Sequence, residues 1–392
     1  MTRVRVATVI TRMQAGAGVV ALRGARALDP DRYQVTLIAG SGDQLLEDAA
    51  AAGLEVLLEP SLRSPISPLD DARALRRLTT LFERRRFHVV HTHSSKAGAV
   101  GRTAAHRAGV PRIVHTFHGF PFHEFQSPVR RQAYVRIERR LGRITDVALC
   151  VGTAVSVEAV RRGLIRPERV RTIGVPVNTT ATARSPQTRA RARRELGLPE
   201  NATVVGAVGR LSYQKAPEHF VAALVALHRP EVTGVWIGSG DLADQVRAQV
   251  QQALPAARVL LVGERSNVPE LLPAFDVFAL PSRYEGLPVA IVEAMVCGVP
   301  VVATAVNSVP DVVCPGESGL LVPPERPELF AAAIGHLLDR PDEAARMAAA
   351  ARARIGDRYT DHALADTLLA AYTPAPVRTN RRRTDHEDLT CA

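Results

Sequence analysis

Two carboxylates on an otherwise apolar stretch invite a chemical reading. Glu285 and Glu293 stand within Ser282-Arg-Tyr-Glu285-Gly286-Leu287-Pro288-Val-Ala-Ile-Val-Glu293-Ala-Met-Val-Cys297-Gly298-Val-Pro300-Val-Val-Ala-Thr304. Gly286 frees the backbone, and Pro288 suits a first helical position, where its missing N–H has no partner to lose. The pattern therefore predicts a short helix starting near Leu287. Gly298 fits the site just past its end, and 299–304 is an apolar, β-branched run that reads as a buried strand. If both acids belonged to that helix, eight residues would separate them by roughly 12 Å. A carboxylate pair flanking one glycosidic bond needs about 5 to 9.5 Å. Acids set further apart beside a helix N-terminus, which favours anions, suit an extended ligand with phosphate in the middle and hydroxyls at both ends, as in a nucleotide sugar. A capping Glu285 with a semi-exposed Glu293 fits the same spacing equally well.

Three further groups have chemistry to offer. Gly209-Arg210-Leu-Ser-Tyr-Gln-Lys215 ends an apolar run and sets two cations about five residues apart at a helix entrance, where they can grip a diphosphate without a metal; the alternative for Arg210 is a surface salt bridge. Near the N-terminus, the run 3–11 leads into Ala15-Gly16-Ala17-Gly18 and a helix, a natural cradle for phosphate or an approaching sugar. Many such turns use glycine only for geometry. Finally, His91, His93, His115, His118 and His123 gather at predicted strand ends, and no spacing among them forces a metal site. His118, after a strand and before Gly119, is the candidate for meeting a ligand. His93 and Lys96 read as shaping the neighbouring loop, His91 and His115 as hydrogen-bonded structural residues. Asp29-Pro30-Asp31 reads as turn chemistry, not metal binding.

Together these segments resemble the family 4 retaining glycosyltransferases. The likeness rests on Glu285-x7-Glu293 inside Pro281-Ser-Arg-Tyr-Glu-Gly-Leu-Pro288, on the following Glu-Ala-Met and Gly-Val-Pro-Val-Val-Ala-Thr, and on four blocks in the family's order. The blocks are His91-Thr-His93-Ser-Ser-Lys96-Ala-Gly98, Phe117-His118-Gly119-Phe120, 209–215 and Trp236-Ile-Gly238-Ser-Gly240, within about 3 to 372. The resemblance implies an α/β protein of GT-B fold, two Rossmann-like doubly wound domains facing each other across a cleft. It implies a metal-independent transfer from a nucleoside diphosphate sugar, expected to be UDP-linked, with no cofactor. Glu285 would hold sugar hydroxyls, Glu293 the ribose, and His118 would lie near the transferred sugar. Arg210, Lys215 and the helix entrance at Gly286 and Leu287 would face the leaving diphosphate. Where the family has two adjacent glycines, this chain has Gly16-Ala17-Gly18, so the motif leaves open which one makes the close approach; Gly16 is the expectation.

These residues need a scaffold. The runs 33–39, 54–58, 87–91, 112–115 and 146–151, then 203–208, 232–237, 258–262 and 277–280, read as short strands separated by helical stretches. That alternation predicts mostly parallel, doubly wound sheets with ligands at the carboxyl ends of their strands. The expected division is an acceptor-binding domain over 1–180, a nucleotide-sugar-binding domain over 181–356, a helix over 357–373 crossing back to the first domain, and a disordered polar tail over 374–392. Within Pro128–Arg143, Tyr134, Ile137 and Leu141 form an apolar stripe and arginines cover the rest. This reads either as a packed helix with a solvated face or as a basic helix lying on anionic lipid.

Composition narrows the partners. A chain of 392 residues, 46% hydrophobic and 23% charged, is globular and long enough for two cores. It has no apolar run of membrane-spanning length and no apolar signal region behind Met-Thr-Arg-Val-Arg-Val, so it is expected in the cytoplasm. Its four cysteines show no paired spacing and are expected to be reduced. Residues 1–180 carry 28 Arg plus Lys against 15 Asp plus Glu, a net +13, while the remainder carries 22 against 24, a net −2. A basic first domain favours an anionic acceptor, such as a polyprenyl-diphosphate-linked sugar or a phospholipid in exopolysaccharide or cell-envelope synthesis, with peripheral contact to an anionic membrane. A small soluble acceptor is the alternative. Two rival functions fit parts of the chain: a UDP-sugar 2-epimerase on the same scaffold, and a basic nucleic-acid-binding module suggested by a pI near 10.3. Aromatics make up only 4% of the chain and form no stacking platform, so no nucleic-acid partner is expected.

Overall fold

The computed structural model of the chain describes residues 3–63, 65–120, 127–177, 183–286, 288–356 and 358–373. Leu287, His123, residues 178–182 and the tail 374–392 lie outside the described residues.

The strands follow from continuous β-branched runs, which are buried on both faces in parallel sheets. The first sheet contains β1 (Val4–Met13), β2 (Tyr33–Gly42), β3 (Glu55–Leu58), β4 (Val89–His93), β5 (Arg112–Phe117), β6 (Val147–Cys150) and β7 (Val170–Thr172), in spatial order 3-2-1-4-5-6-7. The second contains β8 (Thr203–Val208), β9 (Val232–Ile237), β10 (Arg258–Gly263), β11 (Val277–Leu280), β12 (Val301–Thr304) and β13 (Leu320–Val322), in order 10-9-8-11-12-13. Every pairing within these ladders is parallel, as in Val6 with Val89 and Val277 with Val205. Parallel neighbours need crossover connections, which the intervening helices supply. Strand order reverses between β1 and β4 and again between β8 and β11, and at such switch points a crevice opens at the carboxyl ends. The three-residue edge strands β7 and β13 add to the sequence reading; they are too short to stand out as runs.

The last described helix, Asp361–Tyr372, returns to the first sheet. Its Leu368 Cδ1 comes within 3.1 Å of where a Cβ on Gly24 would stand, a close approach that glycine eases. Tyr372 stacks at a tilt on Tyr33, and the Arg112 Nε–H donates to the Ala371 carbonyl at 2.8 Å. Between the two sheets, Val177 N–H donates to Tyr359 O at 2.9 Å and Thr153 N–H to Asp311 Oδ2 at 2.6 Å. Among the described residues no helix is long and apolar enough to cross a membrane.

The helix Pro128–Arg143 is oriented differently from its apolar pattern. Its buried residues are Val135, Glu138, Leu141 and Gly142. Glu138 is drawn inward because Arg102, itself fully buried, donates to Glu138 Oε2 at 2.8 Å, to the Gly98 carbonyl and to Thr145. A buried charge must be paired and hydrogen-bonded, and this one is. The pair tilts the expected stripe away from the core: Leu141 is buried, Tyr134 is half-buried against the Phe117 and Val135 cluster, Ile137 is 47% exposed, and Tyr134 and Ile137 line the cleft.

Candidate active site

The cleft between the sheets encloses about 1480 Å³. Residues 11–14 and 94–96, at the β1/β4 switch point, form one wall; 208–210, 237–239 and 264–266, at the ends of β8, β9 and β10, form the other. Arg210 belongs to this second wall. It is exposed and makes no hydrogen bond among the described residues, so its guanidinium is available to a ligand. Its loop is held tightly: Trp236 Nε1–H donates to the Gly209 carbonyl at 2.8 Å, and a Cβ on Gly238 would lie 2.2 Å from that same oxygen.

Lys215, Glu285, Gly286 and His118 do not line this main cavity; they meet where the two domains touch. Glu285 is 6% exposed on the loop after β11. Its Oε1 accepts from Lys215 Nζ at 2.5 Å and from Ser282 Oγ at 2.6 Å, while Oε2 accepts from Gln214 Nε2 at 3.4 Å. The backbone N–H of Glu285 donates to Asn307 Oδ1 at 2.9 Å, and Arg283 N–H to the Gln214 carbonyl at 2.8 Å. The β8 and β11 loops are thus joined, and Lys215 and Glu285, read separately in the sequence, form one ion pair. Ser282, Gln214 and Asn307 were not singled out there: each is an ordinary polar residue whose role depends on a partner far along the chain.

The helix that follows spans Val289–Cys297 and begins just after Pro288, whose backbone is extended, so Pro288 precedes the helix instead of opening it. Gly298 sits past its end with φ of 84°, as expected. Gly286 is required for closeness more than for dihedral freedom. A Cβ there would lie 2.3 Å from the His118 carbonyl oxygen and 3.4 Å from Val151. The acid-bearing loop of the second domain therefore rests directly on the histidine of the first.

His118 follows β5 and is half-buried, with His93 behind it: His93 Nδ1 and His118 Nε2 are 3.0 Å apart. His91, on the same face of β4, bonds Tyr372 OH through Nδ1 at 2.8 Å and Thr116 Oγ1 through Nε2 at 2.7 Å. His115 points to the other face and bonds Thr92 Oγ1 at 2.8 Å. Burial lowers His118 to about 4 and His91 to about 3, and holds His93 and His115 well below the usual histidine range. All four imidazoles are neutral near pH 7. Among the described residues no three His, Cys, Asp or Glu side chains are grouped to hold a metal ion.

Glu293 lies apart from Glu285, inside the helix Val289–Cys297, and burial pushes its carboxyl up to about 7 against the opposing pull of Arg23. Arg23 comes from the opposite domain, on the helix Ala15–Arg26, and also approaches Asp361 at 3.8 Å. Gly16, at the start of that helix, is exposed, and a Cβ there would find only Val289 Cγ2 at 3.9 Å. Gly18 instead packs on Leu45 and Met13, where a Cβ would sit at 2.9 and 3.0 Å. Gly18 is thus the structural glycine of the turn, and Gly16 faces the helix Val289–Cys297 with room to spare.

Comparison with known proteins matches this geometry. Residues 188–354 match the family described as Glycosyl transferases group 1, and residues 15–181 the family described as Glycosyltransferase Family 4. The UDP-Gal:alpha-D-GlcNAc-diphosphoundecaprenol alpha-1,3-galactosyltransferase of Escherichia coli is 31% identical over 296 residues, 74% of this chain and 76% of that protein. The D-inositol 3-phosphate glycosyltransferase of Thermobispora bispora is 31% identical over 326 residues, 78% of this chain and 74% of that protein. The crystal structure of Anabaena HepE in complex with UDP and glucose is similar with a TM-score of 0.82 at 22% identity, over 94% of this chain and 99% of that one. With both halves matched in order and two doubly wound domains in the GT-B arrangement, the chain belongs to glycosyltransferase family 4.

Proposed function

We propose that this glycosyltransferase moves a hexose from a nucleoside diphosphate sugar, UDP-linked, to an anionic acceptor, with retention at the anomeric carbon and without a metal. The observation that carries this reading is the Lys215–Glu285 pair resting, through Gly286, on His118 across the domain boundary, with Arg210, unpaired among the described residues, on the wall of the adjoining cleft. The Escherichia coli relative is named for UDP-galactose, and the Anabaena structure holds UDP and glucose.

As the bond from the anomeric carbon to the diphosphate breaks, positive charge grows on the sugar and negative charge on the leaving oxygens. Arg210 and Lys215 would stabilise those oxygens without reorganising at the moment of reaction. Lys215 Nζ would exchange Glu285 for a diphosphate oxygen, freeing Glu285 Oε1 to accept from sugar hydroxyls and to favour the cationic centre. Glu293 would accept from the ribose hydroxyls. His118, neutral, would hydrogen-bond the sugar. Among the described residues the side chains bonded to Glu285 are a lysine, a serine and an amide, with no second carboxylate among them. This supports attack from the face the diphosphate leaves: the acceptor oxygen bonds the anomeric carbon, and its proton passes to the departing diphosphate. Trapping a covalent glycosyl-enzyme would contradict that route.

For the acceptor, the net +13 over residues 1–180 supports an anionic molecule. The Escherichia coli relative is named for a diphosphoundecaprenol-linked sugar. A lipid-linked acceptor of that kind, used in exopolysaccharide or envelope glycan synthesis, implies peripheral contact with anionic membrane. The inositol phosphate named for the Thermobispora relative is a soluble acceptor of the same charge class.

A thermal-shift screen against UDP-, GDP-, ADP- and TDP-sugars tests the donor. A UDP-sugar is expected to raise Tm most, and no shift with any of the four would overturn the reading. With that donor alone, slow hydrolysis is expected; formation of a 2-epimer would favour the epimerase instead. Vesicles containing anionic lipid at low salt test the membrane contact, which fails if the protein stays in solution.

A further inference from the structure

We propose that His93 is a positioning residue for His118, fixing the ring plane and tautomer with which His118 meets the sugar; this rests on the reading of His118 as a donor-site residue. Strand β4 places His91 and His93 two residues apart, hence on one face, and β5 delivers His118 to the same side. His93 is 2% exposed, and its Nδ1 lies 3.0 Å from His118 Nε2, with the two rings nearly parallel at 30° and 5.3 Å between centroids. That is the only hydrogen bond its side chain makes among the described residues, so its Nδ1 is committed to His118. His91 packs behind it at 4.3 Å between centroids and is itself held at both nitrogens by Tyr372 and Thr116. The His93 ring therefore cannot turn without breaking a packed and bonded layer.

Two neutral imidazoles joined nitrogen to nitrogen share one proton: one ring donates and the other accepts. Whichever way the proton lies, the pairing makes the two nitrogens of His118 unequal. If His118 Nε2 accepts, its Nδ1 carries the hydrogen and offers a donor; if Nε2 donates, Nδ1 offers a lone pair. Nδ1 has no protein partner among the described residues, so it is the atom left for a ligand hydroxyl. A free His118 would populate both tautomers and lose part of its time in the wrong one. The partners that orient a working histidine change activity by about 10- to 100-fold when removed from metal sites, and a similar size applies to a hydrogen-bonded sugar contact.

The test compares His93→Leu, His93→Asn and His118→Ala in the full chain, following UDP release from the UDP-sugar that most raises Tm. Asn places an amide where Nδ1 stands, and Leu does not. Expected is a kcat about 10- to 100-fold lower in His93→Leu with donor KM within twofold, and recovery of most of that loss in His93→Asn. Imidazole nitrogen NMR gives a readout independent of turnover and of the folding of any variant. In the wild type, His93 and His118 should each show one dominant tautomer, complementary across the shared contact. In His93→Leu, the His118 signals should move toward a tautomer mixture. Equal kcat in His93→Leu and wild type, or non-complementary tautomers in the wild type, overturns the proposal. If His118→Ala leaves turnover unchanged, the donor-site reading of His118 fails instead, and the tautomer signals still decide whether the pair exists.

Discussion

The two domains prepare their shared boundary in opposite ways. On the first, three buried histidines and the half-buried His118 are held neutral and hydrogen-bonded to hydroxyls or to one another. On the second, Lys215 and Glu285 are an ion pair with an exposed arginine nearby. Desolvation penalises lone charges, so a buried wall with few counter-ions keeps its imidazoles uncharged, whereas a lysine and a carboxylate at hydrogen-bond distance compensate each other's burial. The difference would suit the two halves of the proposed nucleotide sugar: neutral hydrogen bonds for hydroxyls, and positive charge for a diphosphate.

The largest expected effect comes from separating the pair. Glu285→Ala should lower kcat by about 10³-fold, the size seen when one stabilising group of a reaction centre is removed. UDP affinity should hold or rise, because Lys215 Nζ is released. A parallel loss of UDP binding would mean Glu285 serves the nucleotide. Next is the contact between the halves. In Gly286→Ala, a Cβ at 2.3 Å from the His118 carbonyl must push the loop away, and a misplacement of about 1 Å costs on the order of 100-fold in rate. Unchanged turnover would show that the contact does not persist in the working enzyme.

Much of this arrangement was legible in the sequence, because strands buried on both faces appear as plain β-branched runs and the site residues stand at their ends. Less legible was anything settled by a distant partner. Nothing local marks Glu138 as buried: Arg102, 36 residues earlier, draws it inward, and Ile137 and Tyr134 line the cleft. Glu285 and Lys215 are 70 residues apart, and no local pattern announces that they pair. Gly286 reads in the sequence as freeing the backbone; its reason is a carbonyl from the other domain.

Smaller effects come from pH. Burial raises Glu293 from its usual 4.5 to about 7, so the native state holds a proton that the unfolded chain has released, and this group's contribution to stability falls as pH rises from 4.5 through 7. On the proposed role, ribose hydroxyls would donate to the ionised form, so UDP affinity should rise by up to roughly tenfold from pH 6 to 8 and lose that dependence in Glu293→Gln. The histidines act in the opposite direction. His91 falls from 6.5 to about 3, so between those values the unfolded chain binds protons that the native state refuses, and Tm should drop as pH falls below 6.5. A flat Tm between pH 7 and 4 would contradict the buried neutral wall. The smallest change, Tyr372→Phe, strands His91 Nδ1 and should lower stability by about 1 to 3 kcal/mol in a denaturant titration.

The division between a charged and a neutral side is tested most directly by calorimetric titration of UDP into wild type, Lys215→Ala and His118→Ala. The expected result is UDP binding weakened at least about tenfold in Lys215→Ala, as for a lost charge-assisted hydrogen bond of about 1.5 to 3 kcal/mol, and unchanged within twofold in His118→Ala. Equal weakening in both variants, or none in Lys215→Ala, would contradict the division.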